Sequence, residues 1–222
     1  ENFSELERYI LNRLFFVDKS IKENLKDYNF HKIYKELLNF CTLELSSFYF
    51  DIRKDTLYCD PINSEKRKSC VMILNVLLNS LLKWFAPILS FTTEEIYQLI
   101  SKKNKSIHLE KFLIFPKKFK NSKLSEKWTQ LLKIRDICNL SIEEKRATKE
   151  IGSSLEASLI VKLSNKDLRI TEGIDFSELC ITSSAEVISS NTDDIVVTTN
   201  KAEGKKCPVC WKISQKPCIR HG

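Results

Sequence analysis

The sequence predicts a mainly α protein: an antiparallel helical bundle, then a small α/β junction unit, then a short cysteine-rich tail. Three observations predict it. Only 4 glycines and 5 prolines occur in 222 residues, which argues against a loop-rich β architecture. Apolar residues recur at three- and four-residue steps through most of the first 150 positions. After Gly152 the texture changes to alternating, β-branched runs.

The first helix is expected over 4–28. Leu6, Ile10, Leu14, Val17, Ile21 and Leu25 fall on one face, and Ser4 is placed to cap it. A longer second helix covers 29–59, with Phe30, Ile33, Leu37, Phe40 or Cys41, Leu45, Phe48 and Ile52 in period; Pro61 breaks it. Ser64 caps a third helix, 65–85, which is apolar nearly all round and is read as central to the bundle. The apolar stretch 71–91 has the length of a membrane span, but Asn75, Asn79, Ser80 and Lys83 interrupt it and Pro87 breaks it. A buried helix is expected, and no membrane partner. Thr92 with Glu95 fits a capping box, so a short fourth helix is expected at 93–101. A basic loop, 102–121, leads to a fifth helix at about 125–149, with Trp128, Leu131, Leu132, Ile134, Cys138 and Ile142 inward. Strands are expected in "LEASLIVKLS" and "DDIVVTTN". Between them, "SELCITSSAEVISS" is either a short helix leading into a strand or a strand alone. Three regions follow: the bundle 1–121, the fifth helix and α/β junction 122–200, and the tail 201–222.

The formal net charge is +7 and uneven. Residues 101–135 hold 11 basic and 2 acidic side chains, residues 136–200 hold 6 and 12, and residues 201–222 hold 6 and 1. Two basic patches flank an acidic stretch, which favours a polyanionic partner over a merely solvated face. The start "ENFSELERYI" is charged, has no apolar h-region and no initiator Met, and reads as a piece of a longer chain. Cys41, Cys59, Cys70, Cys138 and Cys180 have no paired spacing, which suits a reducing cytosol, so a cytoplasmic location is expected.

The tail reads "CPVCWKISQKPCIRHG". Cys207, Cys210, Cys218 and His221 form C-x2-C followed by C-x2-H. A C-x2-C turn lets two thiolates converge on one ion, and a second pair closes a tetrahedral shell, as structural zinc requires. One zinc per chain is expected. A redox pair is the alternative, but a thioredoxin-like motif would open a helix in a βαβ setting. A residue beyond Gly222 is the alternative fourth ligand. Trp211 follows Cys210 directly, with Lys205, Lys206, Lys212, Lys216 and Arg220 around it. It either packs over the metal knuckle or stacks on an RNA base. "FYFDIRKDTLYCD" (48–60) is either an internal ion-pair network or a surface holding phosphates or bases. No nucleophile constellation is found; His31 and His108 are isolated. No catalytic residue is assigned.

"NFCTLELSSFYFDIRKDTLYCD", "APILSFTTEEIY", "RDICNLSIEEKRATKEIGSSLEASLIV" and "CPVCW" occur in that order. With these motifs the chain resembles the C-terminal part of bacterial isoleucyl-tRNA synthetases over essentially its whole length. The resemblance implies a helix-bundle anticodon-binding domain, a small junction region, and a zinc-binding end that contacts the anticodon end of tRNA. It implies a parent enzyme that activates isoleucine with ATP and Mg, transfers it to tRNA, and hydrolyses mischarged valine in a separate domain. The ATP-binding signatures and the editing domain are not in this sequence. The piece is therefore expected to bind isoleucine-specific tRNA as a monomer without aminoacylating it, and no DNA partner is expected. The family's zinc site usually ends in a second C-x-x-C; here the last position is His221. Arg53, Lys54, Trp211, Lys212 and Arg220 are candidate RNA contacts on their chemistry alone. A stand-alone zinc-containing nucleic-acid binder and a zinc-stapled helical scaffold are the competing readings.

Overall fold

The computed structural model describes residues 3–101 and 105–221. Positions 102–104 of the expected basic loop lie outside the described residues. The chain divides into two compact units. One comprises Glu1–Leu57 with Pro61–Asn121, the other Tyr58–Asp60 with Ser122–Gly222.

The first unit is helical. Helix α1 (Glu5–Lys26) buries Ile10, Leu14, Val17 and Ile21, the stripe its period predicts. Ser4 sits at the N-cap, but its hydroxyl donates to the Glu7 carboxylate rather than accepting a backbone N–H. The chain from Phe30 to Cys59 is one continuous helical run: α2 (Phe30–Asn39), a wider π-helical segment (Phe40–Phe50), and α3 (Asp51–Cys59). The wide turn explains why an ordinary period hesitates between Phe40 and Cys41. Buried Phe40 and Leu45 are five residues apart, and an i to i+5 turn keeps both on one face.

Helix α4 (Glu65–Phe85) starts where expected, with the Ser64 hydroxyl accepting from Arg67 N at 3.4 Å. It corrects the expectation of an all-round buried helix. Cys70, Ile73, Leu77, Ser80 and Trp84 are buried, whereas Val71, Met72, Asn75, Leu78 and Asn79 face outward. Among the described residues it is the one helix long and apolar enough to cross a membrane, and only 33% of its most apolar window is buried.

Helix α5 (Ser90–Ile100) begins before Thr92, so the expected capping box does not form. Thr93 instead bonds back to Leu89 O at 2.9 Å. The carboxylate used is Glu94, which takes Ser106 Oγ at 2.9 Å and Ile107 N at 2.8 Å and so fixes the following segment. That segment is a strap rather than a solvated loop. Ile107 is buried with Leu82, Ala86 and Tyr97, and Phe115 lies 6.4 Å from Trp84, ring to ring. Lys22 and Lys83 bind its carbonyls at Leu113 and Lys111, each at 2.9 Å.

The second unit begins with the 26-residue helix α6 (Ser122–Ala147), which buries Trp128, Leu131, Ile134, Cys138 and Ile142. Strand β1 (Ala157–Leu163) is central. It pairs in parallel with β2 (Ser184–Ser189) and antiparallel with β3 (Val196–Lys201). Two short helices, α7 (Asn165–Ile170) and α8 (Phe176–Leu179), make the crossover that a parallel pair requires. The ambiguous stretch is thus a short helix leading into a strand. Alternation in β1 sends Ala157, Leu159, Val161 and Leu163 inward. Asp175 caps α8 by accepting from Ser177 N at 2.8 Å and Glu178 N at 3.2 Å. A two-stranded ribbon, β4 (Lys205–Lys206) with β5 (Ile213–Ser214), carries the tail.

Candidate metal centre and nucleic-acid interface

The ribbon places the first ligand pair. Cys207 follows β4 directly, its N–H donates to Lys212 O at 2.9 Å, and Trp211 N–H returns to Cys207 O at 3.0 Å. These bonds close a tight turn in which Cys207 and Cys210 point the same way. At the head of the ribbon Gly204 has φ +125°, and a Cβ there would come within 2.2 Å of the Ser214 backbone. Only glycine fits that approach.

The second pair folds back onto the first. Cys210 Sγ lies 3.8 Å from Cys218 Sγ, and His221 Nδ1 lies 3.5 Å from Cys207 Sγ and 3.4 Å from Cys218 Sγ. All four donor atoms fall within 4.8 Å of one another. Tetrahedral zinc, with Zn–S near 2.3 Å and Zn–N near 2.05 Å, has S–S edges of about 3.8 Å and S–N edges of about 3.6 Å. The donor set therefore fits a four-coordinate metal ion, with no position left open.

The electrostatics favour the thiolate at Cys207 and Cys218 and oppose it at Cys210. Cys207 is lowered to about 6 because the N–H groups of Cys210 and Val209 point at its sulfur. Burial pushes the Cys210 thiol up. At Cys218 burial raises the thiol, but the bonds from Arg220 N–H, the Cys210 thiol and His221 N–H together outweigh it and the net shift is downward. His221 is raised, first by the Cys59 carbonyl 3.1 Å from its Nε2 and then, against burial, by the neighbouring thiols. With Nδ1 turned to the sulfurs, Nε2–H is the donor to Cys59 O.

The candidate RNA contacts separate. Trp211 is 59% exposed, and Lys206 Nζ sits 5.4 Å from its ring centroid. Its backbone is left-handed, φ +64°, a conformation that costs a non-glycine residue about 1–2 kcal/mol. Lys212 is half-buried, with Nζ 3.2 Å from Ser177 Oγ. Arg220 is ion-paired to Asp60 and keeps a 34% exposed side chain. These three share the second unit. Lys54 lies in the first unit, exposed, with Nζ 2.8 Å from Asp51.

Arg53 corrects the sequence reading. It is 2% exposed, with Nε 2.5 Å and Nη2 2.9 Å from the Glu7 carboxylate and Nη2 3.0 Å from Ser4 Oγ. An internal ion pair, not a phosphate contact, occupies its guanidinium. His31 and His108 are both exposed. Sequence reasoning missed Cys59, whose carbonyl meets His221, and Asp60, which pairs with the adjacent Arg220, each about 160 positions away; no spacing rule could have found them.

Residues 7–161 match the family of anticodon-binding domains of tRNA ligases. The chain is 62% identical over 217 residues to the isoleucine–tRNA ligase of Pelagibacter ubique, covering 98% of this chain and 24% of that protein. It is 39% identical to the isoleucine–tRNA ligases of Bartonella quintana and Agrobacterium fabrum, covering 95% of this chain and 23% of each. The chain thus spans about a quarter of the length of these relatives. With a helical unit in which most of the matched residues lie, the chain belongs to the anticodon-binding domain family of tRNA ligases.

Proposed function

We propose that this chain is the tRNA-holding portion of an isoleucine–tRNA ligase and that its tail carries one structural zinc ion. The observation that carries the reading is a closed Cys3His donor set bearing an exposed tryptophan among lysines, in a chain of the anticodon-binding family. Isoleucine specificity rests on the relatives' names. The bundle (1–121) and the tail (201–222) would face RNA, with 122–200 joining them. The ATP- and Mg-dependent attachment of isoleucine would be the work of the parent enzyme in the cytoplasm. Here Cys207, Cys210, Cys218 and His221 fill the shell, so the metal would organise the fold and offer no open position for chemistry.

Recognition would follow from two kinds of contact. Lys54, Lys212 and Arg220, with the +5 charge of residues 201–222, would take phosphates and make affinity fall with salt. Trp211 would stack on an unpaired base, worth about 1–3 kcal/mol. Its strained backbone favours this reading. Glycine would satisfy the turn at lower cost, so a tryptophan held there points to a use for the ring.

Trp211→Ala and Trp211→Gly should each retain one zinc per chain while binding isoleucine tRNA about 5- to 100-fold more weakly. Filter binding alongside metal analysis checks this. Loss of zinc in the glycine variant, with RNA affinity following it, would make Trp211 a packing residue only.

A further inference from the structure

The metal cluster is not built by the tail alone. Three contacts reach it from two consecutive residues at the end of α3, which belong to the same compact unit as the tail. The Cys59 thiol lies 3.6 Å from Val209 O, inside the loop between Cys207 and Cys210. The Cys59 carbonyl accepts from His221 Nε2 at 3.1 Å. The Asp60 carboxylate pairs with Arg220, the residue next to His221. One contact thus touches the first ligand pair and two touch the second.

From this geometry we infer that Cys59 and Asp60 form an outer shell that positions the metal ligands, with Asp60 setting His221 through Arg220. A histidine ligand needs its second ring nitrogen bonded to an acceptor, which fixes the tautomer and the ring plane. Cys59 O supplies that acceptor. A backbone carbonyl holds the ring only if the last turn of the tail stays against it. That turn has one backbone–backbone bond, His221 N to Cys218 O at 3.2 Å, and Arg220 N–H donates to the Cys218 sulfur. The Asp60–Arg220 pair is the side-chain clamp beside it. The Asp60 side chain is only 11% exposed, so the pair is partly withdrawn from water and less screened than a surface pair. Asp60 does not itself ligate; it stands behind the fourth ligand as a positioning residue.

The inference rests on the zinc reading above, and its test separates the two. Zinc affinity is measured on the whole chain by competition with a chromogenic chelator, beside the visible spectrum of the cobalt-substituted protein. Wild type should bind one equivalent; no stoichiometric binding would sink the zinc reading itself. Asp60→Asn should bind zinc about 10- to 100-fold more weakly. Its cobalt bands should shift as the imidazole loosens, while the helical circular dichroism stays unchanged. Asp60→Arg combined with Arg220→Asp, which restores the pair in reverse, should recover most of the affinity. Zinc affinity within twofold of wild type in Asp60→Asn, or no recovery in the reversed pair beyond either single variant, would overturn the positioning role.

Discussion

Replacing Cys207 and Cys210 together by serine should abolish metal binding and unfold the tail, while the helical signal of residues 1–150 survives. The tail has almost no core of its own. Among its described residues only Cys207 and Cys210 are buried, and both are donor atoms of the cluster. Its ribbon is two residues long on each side, far below what an isolated hairpin needs. On the zinc reading, the free energy that orders it would come largely from ligation, which in small zinc-dependent folds is about 10–16 kcal/mol near neutral pH. Metal content, circular dichroism and proteolysis of the tail check this. The helical elements draw on a separate apolar core, Ile10, Leu14, Ile33, Leu37, Ile73 and Trp84 among others. Unchanged metal content in the double variant would contradict the assigned ligands.

The second large effect lies in the first unit. Arg53→Ala should destabilise the chain by about 3–5 kcal/mol, because it strands the Glu7 carboxylate in the interior. Glu7 has a side-chain exposure of 1% and depends on both guanidinium bonds. Burial alone would raise its carboxyl, but the hydrogen bonds and charge of Arg53 reverse that, and the net shift is below its ordinary 4.5. A carboxylate depressed in the folded state contributes stability that is fully present above the unfolded value. That contribution is lost as pH falls through the lower folded value. The gap between wild type and Arg53→Ala should therefore be widest near neutrality and narrow as pH falls, first as the carboxyl that burial raises in the variant is protonated above 4.5, then as the wild-type contribution is lost below it. Urea denaturation at a series of pH values measures it. The combined replacement Glu7→Leu with Arg53→Met should lose far less than Arg53→Ala, since no charge is then left buried. An Arg53→Ala loss under about 1 kcal/mol would mean that water reaches Glu7 and the pair is not closed.

What the sequence disclosed and what it hid divide along locality. Helix α1, the Ser64 cap, the inward face of α6 and the alternation of β1 are local patterns, and the structure follows them. The clustering of Cys207, Cys210, Cys218 and His221 was legible because C-x2-C and C-x2-H are local turns. The failures are pairings over distance. Arg53 looked like a surface cation because its partner lies 46 residues earlier. Thr92 looked like a cap because the motif does not show that the chain is already helical from Ser90, two residues earlier. Helix α4 looked central because composition does not reveal which face meets neighbours. Cys59 and Asp60 carried no signal at all, since a carbonyl acceptor and one carboxylate have no spacing relative to a site about 150 residues away.

The measurement that bears most directly on the central claim is the affinity of this chain for isoleucine tRNA at two salt concentrations, beside the same tRNA with an altered anticodon. Binding to the native anticodon should be tighter, and affinity should fall steeply with salt as lysine–phosphate contacts are screened. Equal, salt-insensitive binding to both would contradict an anticodon-reading role and leave a metal-stapled helical scaffold.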